Sequence, residues 1–158
     1  MSGMHNSKNI DALNGSGSVS AADPVTGLAT LTATDTYYFP IPVASDGQAS
    51  IQIVTGALIA GTFTIEACNA PTRRGEVGPV DVSDYDETAG NWVQINTASA
   101  GYAQGVGTGW TINTLSLGKT AGAAGAIINL VSLNTRRLRV AAAITTTGTV
   151  RVVAHVKE

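Results

Sequence analysis

From Tyr37 onward the chain alternates apolar and polar residues in short runs, and Gly, Asn, Asp and Pro clusters separate the runs. Period-two alternation sends successive side chains to opposite faces of an extended backbone, so each run predicts a strand with one buried side. Eight such runs stand out: Tyr37 to Val43, Ala49 to Val54, Thr62 to Ala67, Trp92 to Ile95, Trp110 to Leu117, Ala126 to Val131, Arg137 to Ile144 and Thr149 to Val156. No window carries an apolar stripe at helical spacing, and the Ala-rich stretch Ala121-Gly122-Ala123-Ala124-Gly125 is broken twice by Gly, leaving room for a helical turn at most. In the last two runs Leu138, Val140, Ala142 and Ile144 share one face and Val150, Val152, Ala154 and Val156 another, which predicts a C-terminal β-hairpin across Thr145-Thr146-Thr147-Gly148. The opposite face of that hairpin would carry Arg137, Arg139, Arg151, His155 and Lys157 toward solvent or a partner.

Short strands at this density predict an all-β fold, a two-sheet antiparallel β-sandwich with a jelly roll as the preferred topology and an up-and-down barrel as the second choice. Residues 36–158 form this sandwich domain in the sequence reading. Residues 1–35 differ, because Asn14-Gly15-Ser16-Gly17-Ser18 and Asp23-Pro24-Val25-Thr26-Gly27 are turn chemistry and apolar residues occur singly, Ile10, Leu13 and Leu31 among them. They read as an extended N-terminal arm, either a frayed end or a segment that orders on a neighbouring subunit.

Composition sharpens this picture. Ala, Thr and Gly supply 61 of the 158 residues and only 13% of residues are charged, against about 25% in an ordinary soluble domain. The strands therefore have outer faces that are polar with little charge, and such surfaces lack the repulsion that keeps proteins apart. A formal net charge of -2 with nine Lys and Arg argues against nucleic acid, whose binding needs a basic footprint. The longest weakly apolar stretch is shorter than the roughly 18 residues of a membrane span, and no apolar run behind a basic start marks a secretory signal. Cys68 is the single cysteine, which excludes an internal disulfide framework and a cysteine-based zinc site.

Motifs with chemical meaning are few. Leu117-Gly118-Lys119-Thr120 resembles the end of a phosphate-binding loop, but Asn113 stands where the loop requires its first Gly. Gly101, Gly105, Gly107 and Gly109 have the wrong spacing for a dinucleotide fingerprint and read as a flexible loop entering a strand. Glu76, Asp81, Asp84, Asp86 and Glu87 place five of the eleven acids in one long loop, a candidate calcium site by ligand hardness whose spacing departs from an EF-hand. Arg73 and Arg74 at the other end of that loop could pair with a symmetry mate. His5 and His155 have no nucleophile or acid beside them in sequence; Cys68 and His155 could meet only in space, and a buried inert cysteine is the commoner case. No set with base, nucleophile and orienter is visible, so no enzyme and no cofactor is expected. Trp92 and Trp110 are candidates for core anchors or for a sugar-stacking platform.

Gly61-Thr-Phe-Thr-Ile-Glu-Ala-Cys-Asn69, then Asn91-Trp92-Val93, then the closing segment from Arg136 through Val140 to Val152, resembles small β-sandwich structural proteins of tailed bacteriophages. Several of these are head decoration, or cement, proteins. The resemblance is one of pattern over Tyr37 to Glu158. It implies a virion component made in the host bacterial cytoplasm, binding the major capsid protein as a homo-oligomer with a trimer as the expected unit. The alternative it allows is a tail, fibre or carbohydrate-binding module that recognises a host surface. The interface residues expected on this reading are Ile10, Leu13 and Leu31 of the arm, Arg73, Arg74, Asp84 and Asp86 of the loop, and Arg137, Arg139 and Arg151 of the closing strands.

Overall fold

The fold is seen in a computed structural model that describes residues 7–11, 29–41, 48–56, 59–69, 92–131, 133–135 and 137–157. Every regular element among them is a strand. In chain order these are β1 (Ser7–Asp11), β2 (Ala29–Leu31), β3 (Thr36–Ile41), β4 (Ala49–Thr55), β5 (Ala60–Cys68), β6 (Val93–Ile95), β7 (Gly101–Val106), β8 (Trp110–Asn113), β9 (Ser116–Lys119), β10 (Ala124–Leu130), β11 (Arg137–Thr146) and β12 (Gly148–Lys157).

The strands form two six-stranded antiparallel sheets packed face to face, a β-sandwich rather than a closed barrel. Sheet I runs β1-β12-β4-β10-β7, with β2 continuing the β1 position along the edge of β12; sheet II runs β3-β11-β5-β9-β8, with β6 beside β9 along β5. Alternation fills the space between them. Sheet I contributes aliphatic side chains, Leu31, Ile51, Ile53, Ile128, Val150 and Val152, and sheet II adds the aromatic ones, Tyr37, Phe39 and Phe63, all fully buried. Each such side chain contributes about 1.5 to 3 kcal/mol by leaving water. The buried Tyr37 hydroxyl accepts a hydrogen bond from Thr32 N at 2.9 Å, so this polar atom is not stranded in the core.

The expected C-terminal hairpin is absent, although Leu138, Val140, Ala142 and Ile144 on one run and Val150, Val152 and Ala154 on the other are buried as expected. β11 pairs with β3 and β5, and β12 pairs with β1, β2 and β4, so the two strands belong to different sheets and face each other across the core. A register shift between Ile144 and Thr146 bends β11, and bulges of this kind let a strand leave one sheet for the other. β2 and β3 turn the same corner alongside, tied to it by Thr34 N to Ile144 O at 2.8 Å and Ile144 N to Asp35 O at 2.9 Å. The expected loop at Gly101 to Val106 is also a strand, β7, at the edge of sheet I. The Trp110 to Leu117 run is two strands, folded back at Thr114 with φ 55°.

At the corner, Gly148 lies against the backbone of Ile59: a Cβ there would stand 2.5 Å from Ile59 Cα and 2.6 Å from its Cβ. Backbone cannot step aside as a side-chain tip can. Gly148→Ala is expected to lower the unfolding free energy by about 1 to 3 kcal/mol, the usual range for overpacking, read as a lower urea midpoint at unchanged slope.

Candidate functional site

Among the described residues the densest grouping of charged and aromatic side chains lies on the outer face of sheet II. Arg139 stands on β11 directly opposite Glu66 on β5, and its Nε donates to Glu66 Oε2 at 2.6 Å. Its neighbour on the other side is Pro40, so the aromatic that reaches it is Tyr38, one outward position along β3. The guanidinium carbon lies 3.8 Å from the Tyr38 ring centroid and 4.0 Å from that of Trp92. Trp92 reaches it because β6 pairs with β5 there, Gln94 opposite Glu66 and Val93 opposite Ala67. Arg137 lies 5.0 Å over the same indole ring, and its Nη2 donates to Cys68 Sγ at 3.2 Å.

This arrangement corrects the expectation for Arg139. Alternation does turn it away from the core, but Tyr38, Trp92 and Glu66 close over it and only 3% of its surface is exposed. A cation held between rings and a carboxylate gains about 2 kcal/mol or more from each desolvated ring contact, while desolvation of the ion pair offsets much of its attraction. The cluster is therefore a structural clamp across three strands. Removing one partner leaves a buried charge, whereas replacing both leaves an apolar patch. Glu66→Ala is expected to destabilise by about 3 to 5 kcal/mol, and the Glu66→Leu, Arg139→Met double variant by much less; urea unfolding of the three proteins checks the order.

A second cation is withdrawn from solvent at one end of the sandwich. Lys119, on β9, is buried and donates to the carbonyl oxygens of Thr108, at 3.2 Å, and Thr120. It lies 5.5 Å over the Trp110 ring, which packs on Phe63 with centroids 6.0 Å apart. Gly105 on β7 makes room for that indole, since a Cβ there would stand 2.8 Å from Trp110 Cγ. The phosphate-loop likeness thus dissolves: Gly118 is a strand residue opposite Thr62 and Thr111, and Lys119 closes the β7–β8 and β9–β10 connections through their carbonyls. Burial pushes the Lys119 ammonium below its ordinary 10.5. Between the lowered value and 10.5 the unfolded chain holds a proton that the folded chain has released, so stability rises with pH in that alkaline window. Urea titrations across it should show the rise in the wild type, and Lys119→Met should lack it.

The other expected site residues scatter. Leu31 is fully buried in the core of its own sandwich, a correction to its expected role in contacting a neighbour. Ile10 sits in β1 opposite Ala154. Arg151 is half-buried on the outer face of sheet I opposite Val54. His155 shares that face, whereas Cys68 lies on the outer side of sheet II, so the two do not meet. Leu13, Arg73, Arg74, Asp84 and Asp86, with the rest of the acidic loop, lie outside the described residues. Among the described residues no three His, Cys, Asp or Glu side chains group to hold a metal ion. A pocket of about 360 Å³ opens beside Cys68, between Asn69, Val93, Ile95, Leu133 and Thr135.

What the sequence reading missed is where on the outer face of sheet I the charge gives out. β4, β10 and β7 are adjacent and contain no charged residue, and they present Ile127, Tyr102 and Val106 at 42%, 54% and 77% exposure. The signal was available in the outward positions of these strands, which hold Val54, Ile127, Tyr102 and Val106 among Ser, Gln, Asn and Gly, with no charged residue. Comparison with protein-family models, with curated proteins and with solved structures finds no match to this chain.

Proposed function

We propose that this chain is a non-enzymatic virion structural protein that binds a bacteriophage head as a decoration or cement protein, with the major capsid protein and copies of itself as partners. The observation that carries the reading is the outer face of sheet I. Three neighbouring strands without a charge, bearing exposed Tyr102, Val106 and Ile127, suit permanent packing, because the centres of lasting interfaces are depleted of charge and enriched in aromatic and apolar side chains.

The topology supports it. Setting aside β1, β6, β7 and β8, the remaining strands pair first with last, β2 with β12, then β3 with β11, β4 with β10 and β5 with β9. That is one long two-stranded ribbon, and it is rolled so that β12 also meets β4 and β11 also meets β5. We read this as a jelly roll, an architecture common among viral capsid proteins and also used by lectins and cupins. Fold analogy alone does not assign function, so the reading rests on the surface. On this view three copies are the unit that the resemblance implies, on the outside of the shell.

A mass-spectrometric inventory of purified particles whose genome encodes this chain tests the proposal. The expected result is the chain in the head fraction at a fixed stoichiometry to the major shell protein. Its absence from the heads, with no binding of the purified chain to heads that lack it, overturns the proposal.

A further inference from the structure

Sheet edges expose backbone N–H and C=O groups to any strand that can pair with them, and proteins guard such edges with Pro, Lys, bulges or short strands. Most edges of this sandwich carry a guard. β3 contains Pro40, β1 contains Lys8 and Asp11, β8 has four residues, and β2 and β6 have three each. β7 is the exception. It has six residues, Gly101–Val106, without Pro, charge or register shift, pairs among the described residues with β10 alone, and leaves Tyr102, Gln104, Gly105 and Val106 exposed.

We infer that β7 is a self-pairing edge: two copies of this chain join antiparallel through it about a two-fold axis perpendicular to the sheet, making sheet I continuous across the dimer. The occupant is a second copy because the strand is complementary to itself. A perpendicular two-fold keeps both outer faces on the same side, so the outward residues Tyr102, Gln104 and Val106 must meet one another. The register centred on Gln104 sets Tyr102 against Val106 of the partner subunit twice over, and Gln104 against Gln104 of the partner subunit on the axis. Aromatic beside β-branched is a favourable cross-strand pair, and this pairing covers the two most exposed apolar side chains of the strand. On the inner side Ala103 meets Gly105 of the partner subunit, small against small, so no bulk holds the backbones apart. No charge on β7, β10 or β4 opposes the approach.

The contact is isologous. It joins chains in pairs, independently of any three-fold unit and independently of the virion proposal, since it requires no shell. Opposite residues in an antiparallel pair have Cα atoms about 4.5 to 5.5 Å apart, within the range a disulfide spans. Gln104→Cys in the full chain should therefore give a disulfide-linked dimer under mild oxidation, whereas Tyr102→Cys alone should not, because position 102 faces position 106. Light scattering should show a concentration-dependent mass for the wild type, and Val106→Lys should scatter as a species of half the mass that melts where the wild type does at concentrations low enough to be monomeric. A wild type that stays monomeric at all concentrations overturns the inference. So does a Gln104→Cys protein that stays unlinked in an associated sample, which would put the contact elsewhere.

Discussion

β11 and β12 lie in the interior of their respective sheets and are joined by a single residue, Thr147. The covalent chain itself therefore holds the apolar side of one against the apolar side of the other. Leu138, Val140, Ala142 and Ile144 meet the layer of Val150, Val152 and Ala154, all buried, and the remaining strands assemble outward from this pair. β2 and β3 run beside them around the same corner, and the Thr147 hydroxyl oxygen accepts from Ala33 N at 2.8 Å there. The two sheets cannot slide past one another without breaking this bend, so the alignment of the whole sandwich depends on it.

Much of this was legible in the alternation. The strands and their inward residues follow from period two, because a slip by one position would send Ile51, Ile53 and their like into water. The sheet to which a strand belongs does not follow. Two alternating runs separated by a short polar link look the same whether they pair edge to edge or turn a corner, and the decisive irregularity near Thr145 has no distinctive residue to mark it. β7 escaped notice for a different reason: its inward residues are the small Gly101, Ala103 and Gly105, the last making room for Trp110, and its large apolar residues point out. That inverts the usual pattern. Arg139 shows the third limit, since alternation reports direction and says nothing about cover; only the register reveals that Glu66 and two rings meet there.

The low charge of the sequence acquires a spatial meaning in the fold. Arg139 and Glu66 bond to each other, Arg137 leans on Trp92 and Cys68, and Lys119 is turned onto backbone carbonyls. Charges that would ordinarily decorate the exterior instead fasten strands and loops together. The outer face of sheet I is left with uncharged side chains from β4 through β7. Its two distinguishing features, a broad uncharged face and an unguarded rim, are parts of the same sheet.

The ribbon-like pairing also governs when the molecule can come into being. Strands adjacent in space are distant in sequence, and β11 and β12, which follow the other strands in the chain, are the ones that β2, β3, β4 and β5 need as partners. Non-local pairing of this sort makes for slow folding. β2 and β3 emerge with no ladder to join until β11 and β12 follow, so during synthesis the nascent chain passes through an interval as an open, association-prone polypeptide before the sandwich can close.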